Sequence, residues 1–168
     1  STETVGFEAW AAGARFPDAG EACYLRSFAT LDINRALAWS KEAVRREPRH
    51  FYALAAVTHM SELTGDLDGA LDSAGRLVEL GTSSPNTWVR RRGFLLVKLR
   101  RYSEALEEFG RLAALQPDEP EAYFLRATVC RRMRRYDDAV REYGRAIESY
   151  EGEGPGVWQY YHRGTPRW

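Results

Sequence analysis

Arg100-Arg101-Tyr102-Ser103-Glu104-Ala105-Leu106-Glu107-Glu108-Phe109-Gly110-Arg111 returns 34 residues later as Arg134-Arg135-Tyr136-Asp137-Asp138-Ala139-Val140-Arg141-Glu142-Tyr143-Gly144-Arg145. Seven of the twelve positions are identical, and Leu106/Val140 and Phe109/Tyr143 keep their character. A fixed period of this length marks a stack of supersecondary units, none of which can bury its apolar face alone. The period also runs backwards, through Ile33-x-x-Ala36-Leu37 and Leu67-x-x-Ala70-Leu71. Further apolar sites follow at helical spacing, such as Phe109 with Leu112 and Tyr143 with Ala146, and together they trace one stripe of a 3.6-residue period. The small alanine lets two backbones approach where helices cross.

These residues resemble the tetratricopeptide repeat family, whose unit is a pair of antiparallel helices. Placing Ala36, Ala70, Ala105 and Ala139 at the family's twentieth position gives repeats over 17–50, 51–85, 86–119 and 120–153 of a single 1–168 domain. The family's closing proline then falls on Pro48 and Pro117, and the small residue of its first helix on Gly93 and Ala127. Tyr24 and Thr58 depart from that small site, and Thr82-Ser83-Ser84-Pro85 makes repeat two one residue longer than its neighbours. The resemblance implies an all-α, right-handed α-solenoid of antiparallel helix pairs, about four repeats between terminal capping segments.

Residues 1–16 form the first of those caps, with Phe7, Trp10, Ala11 and Ala14 on one face and Pro17 as the stop. First and second helices are expected at 19–29 and 34–46, 50–63 and 67–80, 86–99 and 103–115, and 119–133 and 137–150. Asp32 or Asn34 is positioned to cap the second helix of repeat one, and Ser103 that of repeat three. Gly81 ends a helix. Gly110 and Gly144 lie inside second helices, where glycine costs about 1 kcal/mol against alanine, and close approach of a neighbouring helix is the expected reason. Gly152-Glu153-Gly154-Pro155-Gly156 breaks the last helix. The aromatic tail 154–168 then resembles the opening of a fifth first helix, which caps the stack or docks in a groove of its own or another chain.

Composition narrows the function. The 168 residues carry 24 basic and 24 acidic side chains, and this balance argues against nucleic acid as a partner. Residues 1–85 hold 8 Lys/Arg against 12 Asp/Glu, which leaves 16 against 12 in 86–168, so the net charges are −4 and +4. Cys23 and Cys130 are far apart and without metal-ligand spacing; they are expected as reduced, partly buried thiols. No apolar run approaches the ~20 residues that span a bilayer. A cytoplasmic location is expected, or a periplasmic one if a signal has been removed. No catalytic residue, metal ligand or cofactor site is found: His50, His59 and His162 do not cluster, and neither a nucleophile triad nor a phosphate-cradling glycine loop is present.

The resemblance places the first helices on a concave inner surface. At its inner-facing positions stand Phe28, Tyr52, His59, Arg90, Phe94, Lys98, Phe124, Arg131 and Arg132. Aromatics with arginines suit a peptide or helix carrying apolar anchors and some carboxylates. The lysine and asparagine set by which related modules clamp a carboxy-terminal carboxylate is missing, since Glu21, Leu25, Ala55 and His59 hold those places. The expected function is a non-catalytic protein-interaction scaffold with no small-molecule substrate. The alternatives are a chaperone or assembly factor for secretion, pilus or envelope machinery, and an oligomer assembled through the C-terminal tail.

Overall fold

The computed structural model describes residues 19–81 and 85–151. The expected N-terminal capping helix and the aromatic tail lie outside the described residues. Eight helices and no strand are found among those described. They are α1 (Ala19–Phe28), α2 (Ile33–Arg46), α3 (Phe51–Thr64), α4 (Leu67–Glu79), α5 (Pro85–Lys98), α6 (Tyr102–Leu115), α7 (Pro120–Arg132) and α8 (Tyr136–Glu151). Every repeat contributes one pair, and each helix end falls within a residue or so of its expected place. The helices group into two compact bodies, one up to Leu95 and one from Leu96 onward.

Local chemistry sets the ends. The Asp32 carboxylate accepts from the Asn34 and Arg35 amides at 2.8 and 3.2 Å and starts α2. Asp66 accepts from the Gly69 amide at 3.0 Å and starts α4. His50 caps α3 through Nδ1, which accepts from the Ala53 amide at 3.2 Å; its imidazole is buried. Pro120 opens α7, where its missing N–H is no loss. Ser103 is not a cap: α6 begins one residue earlier, at Tyr102, and Arg101 holds the cap position without a side-chain cap bond. The Arg101 guanidinium grips Glu104 instead, at 2.7 and 2.6 Å.

The turns inside repeats two, three and four each contain a left-handed residue. Gly65 supplies it in repeat two at φ 84°. At the same register, five residues before the repeat alanine, Arg100 and Arg134 adopt φ 59° and 60°. The Arg101 amide bonds back to the Leu96 carbonyl at 2.9 Å, and the Arg135 amide to that of Cys130 at 2.9 Å. These are the six-to-one bonds of a Schellman stop.

The four repeat alanines are all buried. In the first body Cys23, Leu37, Ala43, Val44, Ala53, Leu54, Val57 and Leu77 pack as one cluster drawn from α1 to α4. Thr58, at the small site of repeat two, is buried with its hydroxyl 2.9 Å from that of Ser73 on α4, so a polar pair replaces the small residue there. In the second body Phe109, Leu112, Ala122, Ala127, Val129 and Cys130 are buried. Both cysteines are free, and burial pushes the Cys130 thiol up.

Gly110 and Gly144 correct a sequence expectation. A Cβ at Gly144 would meet nothing within 4 Å among the described residues, and one at Gly110 only the tip of the Arg126 guanidinium at 4.0 Å. Among the described residues no close backbone approach demands either glycine.

Candidate protein-interaction faces

The first helices of the first body carry a band of rings. Tyr24 of α1 lies edge-on to Phe28, with centroids 4.9 Å apart, and tilted against His50 at 5.1 Å. It stacks on Tyr52 of α3 at 6.0 Å. Tyr52 meets Phe51 at 5.2 Å, and Phe51 meets Trp88 of α5 at 5.9 Å. Phe28 and Tyr52 thus come together through Tyr24. Tyr24, Phe51 and Trp88 are half-buried, while Phe28 and Tyr52 remain 65% and 61% exposed. The inner rings hold the outer two in place. Tyr24 stood out in the sequence only as an oversized residue at a small site, yet it is the side chain that joins them.

A polar group lies further along α3. Tyr52 and His59 are seven residues apart and share a helix face. His59 is exposed, and its Nδ1 is 3.4 Å from Arg91 Nη2. The same Arg91 nitrogen lies 2.6 Å from Glu62 Oε2. Arg91 therefore links α5 to α3, a role its place in a run of three arginines did not single out. Arg90, Phe94 and Lys98 follow at i, i+4, i+8 on α5, so they share a face; Arg90 is half-buried and the other two are exposed.

In the second body Phe124 of α7 is exposed, and its ring is edge-on to Tyr143 of α8 at 5.6 Å. Arg131 lies on the same face seven residues on. Arg131 and Arg132 are exposed in the last turn of α7, where positive charge also complements the helix dipole. Behind this face Arg126 crosses to α8 and holds the buried Glu142 at 3.0 Å, with Arg145 at 3.3 Å from the same oxygen. Neither this carboxylate nor Glu108, at the equivalent place on α6, is marked as buried by any pattern in the sequence.

Among the described residues no group of three or more His, Cys, Asp or Glu could hold a metal ion. A groove of about 430 Å³ lies between α2 and α4, floored by Leu54 and Val57 of α3. Its rim cations are already engaged: Lys41 with Asp66 at 3.2 Å, Arg45 with Glu42 at 2.7 Å and Arg76 with the Pro48 carbonyl at 2.9 Å. Arg45 and Arg46 hold the Glu42 carboxyl down at about 2. The groove offers a ligand little that is free.

Residues 91–156 match the model of the tetratricopeptide repeat family. That stretch is a tetratricopeptide repeat region. No curated protein matches the sequence. Solved structures place the whole helical run: the crystal structure of MamA is 16% identical, covers 89% of this chain and 88% of its own, and superposes with a TM-score of 0.70. MamA from AMB-1 is 19% identical over 88% of this chain and 79% of its own, with a TM-score of 0.67. MamA 41-end from Desulfovibrio magneticus RS-1 is 15% identical over 81% and 78%, with a TM-score of 0.65. At these identities the likeness establishes the fold, an all-α array of helix pairs. A tetratricopeptide repeat of this fold supports a role as a protein-interaction scaffold. No helix among the described residues is long and apolar enough to cross a membrane.

Proposed function

We propose that the chain is a non-catalytic scaffold that holds a peptide or helix of a partner protein on the inner, concave-side faces of its first helices. The observation that carries this is the exposure of large rings at the inner-facing positions of α1, α3, α5 and α7: Phe28, Tyr52, Phe94 and Phe124. Covering the exposed part of one such ring is worth about 2 kcal/mol, a large return for a side chain with only two rotatable bonds. Lys98, Arg131 and Arg132 beside them favour a partner with carboxylates between its apolar anchors. The nine residues Phe28, Tyr52, His59, Arg90, Phe94, Lys98, Phe124, Arg131 and Arg132 are the proposed contact set. His59 contributes through its pairing with Arg91.

A displayed random-peptide library is the direct probe. Selected peptides should combine aromatic or aliphatic anchors with Asp or Glu. The combined variant Arg90→Ala, Phe94→Ala, Phe124→Ala and Arg131→Ala should bind them at least about tenfold more weakly while its circular dichroism stays helical. Undiminished binding by a folded variant would remove these faces from the account.

A further inference from the structure

Repeats two, three and four differ at two places that meet between their helices. At the seventh position of the repeat Val57 corresponds to Arg92 and Arg126, and at the twenty-third Ser73 corresponds to Glu108 and Glu142. In repeat four the larger pair fills the space. Arg126 reaches from α7 to the buried Glu142 of α8 at 3.0 Å, and its guanidinium also comes to 4.0 Å from the Cβ position of Gly110 on the preceding second helix. Arg92 lies the same way against Gly75, at 3.9 Å. In repeat two Val57 stands for the arginine and Ser73 for the glutamate, and Lys41 holds the place of Gly110. All three line the groove of about 430 Å³ between α2 and α4. The groove thus lies where an arginine–glutamate pair stands in repeat four. One member of the pattern is kept. Arg111 and Arg145 hold Glu108 and Glu142 at 3.1 and 3.3 Å. Arg76 has their register and lines the groove, but three residues before it stands Ser73, and Arg76 bonds to the Pro48 carbonyl at 2.9 Å.

We propose that this groove binds a small amphiphilic carboxylate, its charged end against Arg76 and its hydrocarbon body on Val44, Leu54 and Val57. The ligand's carboxylate takes the part that Glu142 plays for Arg145. The rim cations hold partners already, and those partners are ones a carboxylate can replace. Arg76 holds a neutral carbonyl, and a charge-assisted bond to a carboxylate is the stronger of the two. Arg45 can turn away from Glu42 at little cost, because Arg46 keeps the same carboxylate at 2.6 Å. Lys41 and Asp66 form an exposed pair, the kind that contributes least. Leu54 and Val57 are buried beneath, so the floor favours hydrocarbon. Lys41, Arg45 and Arg76 together oppose a cationic ligand, and Asp72 on the same lining favours one negative charge over two. The volume falls at the lower end of the range of ligand pockets, about 300–1,000 Å³, and suits a short chain or a single ring.

Calorimetric titration of the full chain with octanoate and with octanamide, which share a hydrocarbon body, tests this. Octanoate should bind saturably, one molecule per chain, and at least about tenfold more tightly than the amide. Arg76→Gln should weaken octanoate binding at least about tenfold while circular dichroism stays helical. Val57→Arg combined with Ser73→Glu rebuilds the couple of repeat four inside the groove and should abolish octanoate binding. Arg76→Gln alters a rim side chain outside the core, so it decides the matter even where the paired variant does not fold. No saturable binding of octanoate, equal affinity for acid and amide, or undiminished binding by folded Arg76→Gln would each overturn the proposal.

Discussion

Arg100 and Arg134 are two solvated members of arginine runs until their backbone is considered. Both sit at positive φ, where a side chain crowds its own carbonyl at a cost of about 1–2 kcal/mol. Gly65 fills the same register in repeat two without that cost. Arg134→Gly should therefore raise unfolding free energy by about 1 kcal/mol, after the extra freedom glycine gives the unfolded chain is subtracted. Arg134→Ala, which keeps a Cβ, should give no comparable gain. Denaturant titration of the three proteins decides the point. The repeat register made this conformation legible in principle, since Gly65 marks the place, but arginine's ordinary preferences hid it. Asp32 as a cap was legible because a carboxylate before a helix has one obvious use. His50 was not, because histidine seldom caps, and only the buried 3.2 Å bond to the Ala53 amide reveals it.

Element boundaries were the most readable feature. Turn residues and repeat alanines bracket each helix, so a period of about 34 residues places eight helices at once. What lies between the helices was harder to read. Gly110 sits beside Phe109, and a close helix crossing was the natural inference, yet the neighbouring atom is the far end of a flexible arginine. The glycine is then a simple deficit of helix propensity. Gly110→Ala should stabilise the chain by about 1 kcal/mol, with α6 amides exchanging more slowly. A loss of stability would show that α7 approaches α6 more closely than 4.0 Å from that site. Glu108 and Glu142 escaped prediction for a related reason. A glutamate in a charged helix reads as solvent-facing, and only the partner repeat position reveals that it packs inward with an arginine over it.

At the scale of the molecule, the first helices and the second helices divide the labour. Second helices bring the repeat alanines, buried in all four pairs, and on α8 a buried glutamate held by Arg126 of α7. First helices bring rings that the core does not consume: Phe28, Tyr52, Phe94 and Phe124. The positions of those rings followed from the repeat register. The joining role of Tyr24 and the Arg91 bridge to Glu62 did not, because both depend on contacts between helices that no single-helix pattern encodes. The decisive measurement is hydrogen exchange on the chain bound to a selected peptide. Slowed exchange concentrated in α1, α3, α5 and α7, with α2, α4 and α6 unchanged, is the predicted result; protection confined to the second helices would contradict it.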